Sequence, residues 1–319
     1  MNSFYLDQSK VFLQTIQAFE VICIFRHEHP DCDALGAQCG LLTWLKTYFP
    51  NKKIYALGNE NSNQFDFPQM DKVSDDVLQN ALAIILDTAN LERVDDQRYA
   101  LAKHIMKIDH HIITDDYGDT KIVLEGCAAT CQILTLLIHQ LVKYPLNKTI
   151  AQYFYAGLVT DCLNFSANYT NDESLLAGSY LVGCGLEVAK IQQRLFDQDL
   201  HDIQFKIYLL SHMQIFKEHI AYVILEHDDL VKWSLSASEA RSRVNTLSGI
   251  KEFAIWVLFT YDIETSSYAA SIRSKQIAIN EVANHYHGGG HKNACGVKGL
   301  SLEDVQNILN DLAKLLSNF

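Results

Sequence analysis

The first part of the chain alternates short apolar runs with longer segments of helical periodicity. Residues 21–25, 83–86 and 105–108 are almost wholly apolar, which predicts short strands that are buried on both faces. Residues 34–49 instead place apolar side chains three and four positions apart, as an amphipathic helix does. This alternation, up to about residue 122, predicts a parallel sheet covered by helices.

Two further changes of pattern divide the rest of the chain. From about residue 128 to residue 216 the periodicity is almost wholly helical, and strands are predicted again at residues 221–225, 253–259 and 268–272. We therefore predict an α/β protein in three parts. These are an N-terminal parallel-sheet domain with flanking helices (1–190), a helical connector (191–216) and a smaller C-terminal α/β domain (217–319).

Acidic residues and histidines follow the predicted strands closely. The clusters are His27 with Asp31 and Asp33, then Asp87, then Asp109 with His110 and His111, and finally Asp161. Because the carboxyl ends of parallel strands form one crevice, the first three clusters are expected to meet at one edge of the sheet. Asp161 differs, because it follows a helical segment, residues 150–160, and precedes a predicted loop, residues 164–169.

Several carboxylates in one site are costly unless cations or buried hydrogen bonds compensate their charge. Two metal ions would resolve this conflict, and a two-metal centre activates hydroxide for in-line attack on phosphorus while stabilising the leaving oxygen. Oxygen and imidazole ligands without thiolate suit Mn²⁺, with Mg²⁺, Co²⁺ or Zn²⁺ as alternatives. Since a single acid such as Asp33 could simply cap a helix, the interpretation depends on the joint occurrence of the clusters.

The composition is that of a globular protein with room for two domains: 319 residues, 48% hydrophobic and 20% charged. Eight cysteines, several of them inside apolar runs, are typical of reduced thiols, so we expect a cytoplasmic protein. The longest uncharged apolar-rich stretch, residues 126–142, falls short of a membrane span, and no membrane partner is expected. The net charge of −12 argues against long nucleic acid as a partner, while a homodimer stays open.

A second candidate site lies near the C-terminus, where consecutive glycines precede a histidine. Gly288, Gly289, Gly290 and His291 would let backbone N–H groups approach an anion. Arg273 closes a predicted strand, where its guanidinium could bind phosphate. The alternatives are a helix end for the glycines, a separate cluster of histidines on a metal, and an exposed strand end for the arginine.

These motifs resemble those of the DHH phosphoesterase family, in their order as well as their residues. Residues 27–36 (HEHPDCDALG) resemble the first motif, residues 87–88 (DT) the second, residues 109–111 (DHH) the third and residues 157–161 (GLVTD) the fourth. Residues 288–296 (GGGHKNACG) are similar to the signature of the DHH-associated C-terminal domain. The resemblance therefore covers nearly the whole chain.

The resemblance implies a role for each of these residues. The metal ligands would be His27 and Asp31 on one ion, Asp33, His110 and Asp161 on the other, and Asp87 bridging the two. His111 would contact the scissile phosphate or assist the leaving group, and Asp109 would orient a neighbouring imidazole. The substrate would be held from the second domain by Arg273, Gly288, Gly289, Gly290 and His291.

Within the family, the chain is similar to the branch of bacterial nano-RNases and pAp phosphatases. This resemblance implies hydrolysis of RNAs a few nucleotides long to mononucleotides, and removal of a phosphate from 3′-phosphoadenosine 5′-phosphate (pAp) to give AMP. One alternative with the same centre is a phosphodiesterase acting on cyclic di-AMP or its linear product, and a non-enzymatic alternative is a nucleotide-binding sensor. The chain departs from the family pattern at Cys32 and Cys162, which place thiols beside ligand positions, at Gln132, where an acidic residue is expected, and at residues 163–165. These departures spare the implied ligands and leave the substrate preference open.

Overall fold

The computed structural model describes residues 3–59, 65–113 and 115–316. The chain divides between Asp197 and Gln198 into two compact units, each with its own sheet, and the predicted α/β class is confirmed. Within the described residues, no single helix is long and apolar enough to cross a membrane. Two helices, Asp172–Gly183 and Val188–Phe196, reach that length and composition only together, across a bend of 115°.

The N-terminal unit is a parallel sheet flanked by helices. Its elements are α1 Ser3–Ala18, β1 Val21–Phe25, α2 Cys32–Tyr48, β2 Lys53–Ala56, α3 Asp75–Leu78, β3 Leu82–Leu86, β4 His104–Asp109, β5 Thr120–Val123, α4 Thr130–His139, α5 Lys148–Asp161, α6 Asp172–Gly183 and α7 Val188–Phe196. The strand order is β2-β1-β3-β4-β5, and every pairing is parallel. The three strands predicted from apolar runs are therefore the three at the centre of the sheet.

Helices and loops cover both faces of this sheet, which explains why its central strands are apolar throughout. On β1, Ile22 and Ile24 belong to the larger core, whereas Cys23 and Phe25 belong to a separate core on the opposite face. All five residues of β3 are buried. Successive side chains of a strand point to opposite faces, so an apolar run without alternation is what burial on both faces requires.

The helix α2 starts a few residues after β1 and packs closely on α5. Asp31 caps it, because Oδ1 of this residue accepts hydrogen bonds of 3.0 Å from the backbone N–H groups of Asp33 and the residue after it. An added β-carbon at Gly36 would lie 2.5 Å from the carbonyl oxygen of Tyr153, and one at Gly157 would lie 2.9 Å from Oδ1 of Asp33. The close approach of the two helices therefore brings the first turn of α2 against the C-terminal half of α5.

The C-terminal unit is a mixed sheet with helices on both faces. Its elements are α8 Leu200–Ser211, β6 Gln214–Phe216, β7 Ile220–Leu225, α9 His227–Lys232, α10 Ala237–Ser242, β8 Ile255–Asp262, β9 Ser267–Ser274, α11 Asn280–His285, β10 Gly289–His291, β11 Ala294–Leu300 and α12 Leu302–Leu316. The strand order is β10-β11-β9-β8-β7-β6; β7 and β8 are parallel, and the other pairings are antiparallel. The helix α12 packs on one face, and α8 to α10 pack on the other.

The structure differs from the predicted pattern in three places. Residues 214–216 form an edge strand paired with β7 rather than the end of a helical region. The segment 191–216, expected to be a helical connector, is shared by the two units: α7 lies in the first, and α8 packs Phe205 into the core of the second. Two of the three glycines near the C-terminus, Gly289 and Gly290, belong to the short edge strand β10 rather than to an open loop, with Gly289 paired to Gly296.

Candidate metal centre

Acidic and imidazole side chains from four segments meet at the carboxyl edge of the parallel sheet. Three groups have ligand atoms within 4.8 Å of one another and could each hold a metal ion. They are His27 with Asp31 and Asp87, Asp33 with His110 and Asp161, and Asp87 with His110 and His111. Every metal ligand that the resemblance implied is therefore in this cluster, and Asp87 belongs to two of the groups.

His27 presents one ring nitrogen to the cluster because the other is held by the backbone. Its Nδ1 lies 2.7 Å from the carbonyl oxygen of Glu28. This contact fixes the proton on Nδ1, since only an N–H can donate to a carbonyl, and leaves the lone pair on Nε2. That Nε2 lies 3.6 Å from Oδ2 of Asp87 and 3.9 Å from Oδ2 of Asp31.

The two acids of the first motif have different environments. The sequence left open whether Asp33 caps a helix, and in the structure Asp31 is the cap, with a side chain that is 61% exposed. Asp33 is buried instead, and its carboxylate accepts hydrogen bonds from the backbone N–H groups of Thr130, at 2.6 Å, and Cys131, at 2.9 Å. An ionised carboxylate has about four lone-pair directions, so two remain for other partners. The N-terminus of α4 thus fixes Asp33 in place.

Asp87 lies at the centre of the cluster. It follows β3 directly with a positive φ of 52°, a conformation that Asp tolerates better than most residues. Its Oδ1 accepts a hydrogen bond of 3.1 Å from the hydroxyl of Thr130 and lies 3.4 Å from Nε2 of His110 and 3.6 Å from Nδ1 of His111. With only 2% of its side chain exposed, this carboxylate needs positively charged or hydrogen-bonding partners on every side.

Both histidines of the third motif border the cluster, and Asp109 is hydrogen-bonded to the second of them. His110 donates from Nδ1 to the carbonyl oxygen of Cys127 at 3.0 Å and directs Nε2 toward Oδ2 of Asp161, 3.4 Å away. Asp109 accepts two hydrogen bonds from His111 at Oδ1, from the ring Nδ1 at 2.8 Å and from the backbone N–H at 3.2 Å. The ring of His111 is 40% exposed, so its Nε2 is the nitrogen available to a ligand.

Sequence reasoning missed Lys107, a buried residue of β4 whose charged group lies next to Asp109. Its Nζ lies 3.4 Å from Oδ2 of Asp109, an oxygen without a hydrogen-bond donor among the described residues, and donates to the carbonyl oxygen of Ala89 at 3.1 Å. The ammonium also lies over the ring of Tyr117, 4.2 Å from its centroid. The sequence did contain a signal for this role, a lysine inside an apolar run that ends in an aspartate and two histidines. A fully buried lysine requires an anionic partner.

The electrostatics of the cluster fit bound cations. Burial, and then the charges of Asp87 and Asp161, raise the pKa of Asp33 well above its usual value. Burial raises the pKa of Asp161 to about 6, despite the charge of His110. Burial disfavours charge on His110, but its hydrogen bond to Asp87 and the neighbouring carboxylates raise its pKa to about 10. The protein alone therefore attracts protons to these groups, and divalent cations would relieve the same repulsion.

The departures from the family pattern lie beside the cluster and are satisfied by packing. Gln132 is buried, accepts hydrogen bonds from the backbone of Ala128 at 3.2 Å and the hydroxyl of Ser174 at 2.8 Å, and donates to the sulfur of Cys127. Burial raises the pKa of Cys32 to about 11, which keeps it a thiol at neutral pH. Neither residue belongs to a candidate metal group among the described residues.

Three residues of the second predicted set, Arg273, Gly289 and His291, lie on one face of the C-terminal sheet, whereas Gly290 belongs to a row of the other face. Arg273 and His291 share a row across the strands, because both are paired with Ala294. The next row along the same face contains Ser271, Gly296 and Gly289. Because paired residues point to the same face, a strip without large side chains lies beside the arginine and the histidine.

The three glycines differ in whether the surrounding structure leaves room for a side chain. An added β-carbon at Gly288 would lie 2.4 Å from the carbonyl oxygen of Gly296, and one at Gly290, whose φ is +139°, would lie 2.3 Å from that of Ala294. A β-carbon at Gly289 would meet nothing within 4 Å. Gly288 also ends α11, since its N–H bonds to the carbonyl of Ala283 at 2.8 Å. Packing therefore explains two of the glycines and leaves Gly289 open on its exposed side.

The C-terminal histidines do not form the separate metal cluster considered from the sequence. Among the described residues, none of the candidate metal groups contains His285, His287 or His291. A fourth group, Asp199 with His201 and Asp202, lies at the start of α8 on the surface. Acidic side chains are favourable at the start of a helix without any metal, because they interact with the helix dipole.

A parallel sheet with carboxylates and imidazoles at its carboxyl edge is the arrangement of an α/β metallohydrolase. Residues 21–158 match the N-terminal domain of the DHH family, and residues 217–318 match the DHHA1 domain. The chain therefore belongs to the DHH family of phosphoesterases, whose members depend on metal ions.

Two relatives and one solved structure match the chain over nearly its whole length. The chain is 32% identical over 305 residues to a protein of Bacillus subtilis named bifunctional oligoribonuclease and PAP phosphatase NrnA, covering 95% of this chain and 97% of the relative. It is 33% identical to a Streptococcus mutans protein named probable bifunctional oligoribonuclease and PAP phosphatase NrnA, covering 96% and 98%. The crystal structure of an exopolyphosphatase-related protein from Bacteroides fragilis has a TM-score of 0.83 at 23% identity, covering 99% and 98%, which shows the shared fold.

Proposed function

We propose that this phosphoesterase hydrolyses RNAs a few nucleotides long to mononucleotides and converts pAp to AMP. The observation that carries the proposal is the cluster around Asp87, which combines buried carboxylates and imidazoles at the edge of the sheet. The substrates come from the named relatives, which match the chain at 32% and 33% identity over nearly its full length. The net charge of −12 supports short substrates, because binding of long nucleic acid normally needs a basic surface.

The geometry of the cluster supports two ion sites that share one carboxylate. We assign His27 and Asp31 to one ion, Asp33, His110 and Asp161 to the other, and Asp87 to both. Oxygen and imidazole donors without thiolate favour Mn²⁺, with Mg²⁺ or Co²⁺ as alternatives. When bound, such ions polarise a phosphoryl oxygen and lower the pKa of water.

The protein's own groups would position the phosphate and complete proton transfer. His111 has its Nδ1 fixed by Asp109 at 2.8 Å, so its Nε2 can contact a phosphate oxygen or a leaving group. In the other unit, Arg273 is half-buried, and its hydrogen bonds to other described residues go to carbonyl oxygens alone, those of Ile272 and Cys295. Remaining N–H groups of its guanidinium are free for a phosphate, and we assign it to substrate binding together with Gly288, Gly289, Gly290 and His291.

A substrate panel tests this proposal. The purified protein is incubated with Mn²⁺ and, in separate reactions, pAp, a diribonucleotide, cyclic di-AMP and pyrophosphate, and products are separated by chromatography. We expect AMP and phosphate from pAp and mononucleotides from the dinucleotide. If only cyclic di-AMP or pyrophosphate is hydrolysed, the proposed substrates are wrong. If a nucleotide binds and none of the compounds is hydrolysed, the result favours a nucleotide sensor.

A further inference from the structure

The face of the C-terminal sheet that contains Arg273 is covered unevenly. The helices α9 and α10 cover β7 and β8, where Val223 and Leu258 are fully buried with Ala240 of α10. Ser271 is paired with Leu258 and therefore lies on the same face, yet it is only half-buried. The covering helices therefore leave β9, β11 and β10 accessible on this face.

Two adjoining cavities follow this accessible part of the face. One, of about 420 Å³, is lined by Ser271, Gly289 and Gly296, and the other, of about 800 Å³, extends to the turn between β8 and β9. They share two residues, Arg241 of α10 and Lys298 of β11. Two cations therefore lie where the strip without large side chains meets the larger cavity.

Arg241 is the more informative of the two because it is half-buried without an ion pair. Its guanidinium donates to the hydroxyl of Thr260, and among the described residues no carboxylate oxygen lies within 4.0 Å of it. Burial lowers its pKa, which the charge of Asp262 opposes. Arg243, two residues further along, is paired instead with Asp202 at 2.6 Å. A guanidinium that is partly desolvated and unpaired is suited to an anionic ligand.

The strand register gives the spacing between the position that Arg241 contacts and Arg273. Thr260, which Arg241 contacts, is paired with Ala269, and Arg273 lies four residues further along the same strand. A rise of about 3.3 Å per residue places these two rows about 13 Å apart on one face. Between them lies the row of Ser271, Gly296 and Gly289, which has no large side chain.

We infer that Arg241, with Lys298 beside it, binds a second phosphate group of the substrate, one that is not hydrolysed. This inference rests on the proposed function and deepens it. In pAp the second group is the 5′-phosphate, and in an oligonucleotide it is another phosphate of the chain. The site therefore favours nucleotides with two phosphates over those with one. Arg241 acts as a specificity-determining residue.

Comparing two substrates tests the inference directly. Arg241→Gln is expected to raise the KM for pAp about tenfold or more, because a charge-assisted hydrogen bond is lost, with little change in kcat. Adenosine 3′-phosphate lacks the second phosphate, so its KM should not change. Arg273→Gln should weaken the binding of both nucleotides. Arg243→Gln, which removes an arginine already paired with Asp202, should weaken the binding of neither.

Thermal unfolding of each variant verifies that it is folded, and calorimetric titration of pAp separates this inference from the proposed function. If the wild-type protein hydrolyses neither nucleotide, the proposed function fails, and the affinities for pAp still test Arg241. An unchanged KM and affinity for pAp in Arg241→Gln, or an equal loss for both nucleotides, would overturn the inference.

Discussion

Asp87→Asn is expected to lower the rate of phosphate release from pAp by more than about a hundredfold, since loss of groups that only support metal ligands already costs 10–100-fold. Among the described residues, Asp87 is the one carboxylate that belongs to two candidate metal groups, and its oxygens lie 3.4 Å from His110 and 3.6 Å from His27. An amide removes the negative charge but keeps the shape. Asn also tolerates the positive φ of this position, so the chain should still fold.

The matched control is Asp76→Asn, which removes an exposed carboxylate from α3 in the same unit. Its rate should equal that of the wild type. Thermal unfolding and the amount of bound Mn²⁺ are measured for both variants. A folded Asp87→Asn protein that binds metal and hydrolyses pAp at the wild-type rate would remove Asp87 from the centre.

Lys107→Met is expected to lower the free energy of unfolding by about 3–5 kcal/mol, because it leaves a buried carboxylate without its cation. The side chains of Lys107 and Asp109 are 2% and 1% exposed, and their charged atoms lie 3.4 Å apart. Asp109 in turn holds the ring of His111. Any protein that remains folded should therefore hydrolyse pAp more slowly, since this ring is no longer fixed.

Lys121→Met is a close control for this variant. Lys121 is paired with Lys107 in the neighbouring strand, but its side chain is 39% exposed and its partner, Asp116, is on the surface. Its removal should change stability and activity little. Denaturant unfolding gives the free energies, and equal losses in the two variants would contradict the structural role of Lys107.

The sequence predicts the part of the fold that local patterns determine. Residues 21–25, 83–86 and 105–108 are apolar on both faces apart from Lys107, as is typical of strands at the centre of a covered parallel sheet. Polar residues at the ends of these strands must then meet at one edge, which is why His27, Asp87 and Asp109 could be placed together.

Other features depend on contacts between distant residues, which a single sequence does not encode locally. The edge strand β10 consists of two glycines and a histidine, so it has no apolar alternation and exists only through its pairing with β11. The strand at residues 214–216 continues a helical pattern and is defined by its pairing with β7. Arg241 lies in a short helix whose sequence gives no sign of the adjoining cavities.

The central claim is that phosphate release depends on metal ions bound at the cluster around Asp87. The direct test is to strip the protein with a chelator, confirm by circular dichroism that it remains folded, and measure hydrolysis of pAp as Mn²⁺ is returned. We predict no turnover in the stripped protein, and recovery that saturates when two ions are bound per chain. Undiminished turnover by the metal-free protein, or two bound ions without turnover of pAp or a dinucleotide, would contradict the account.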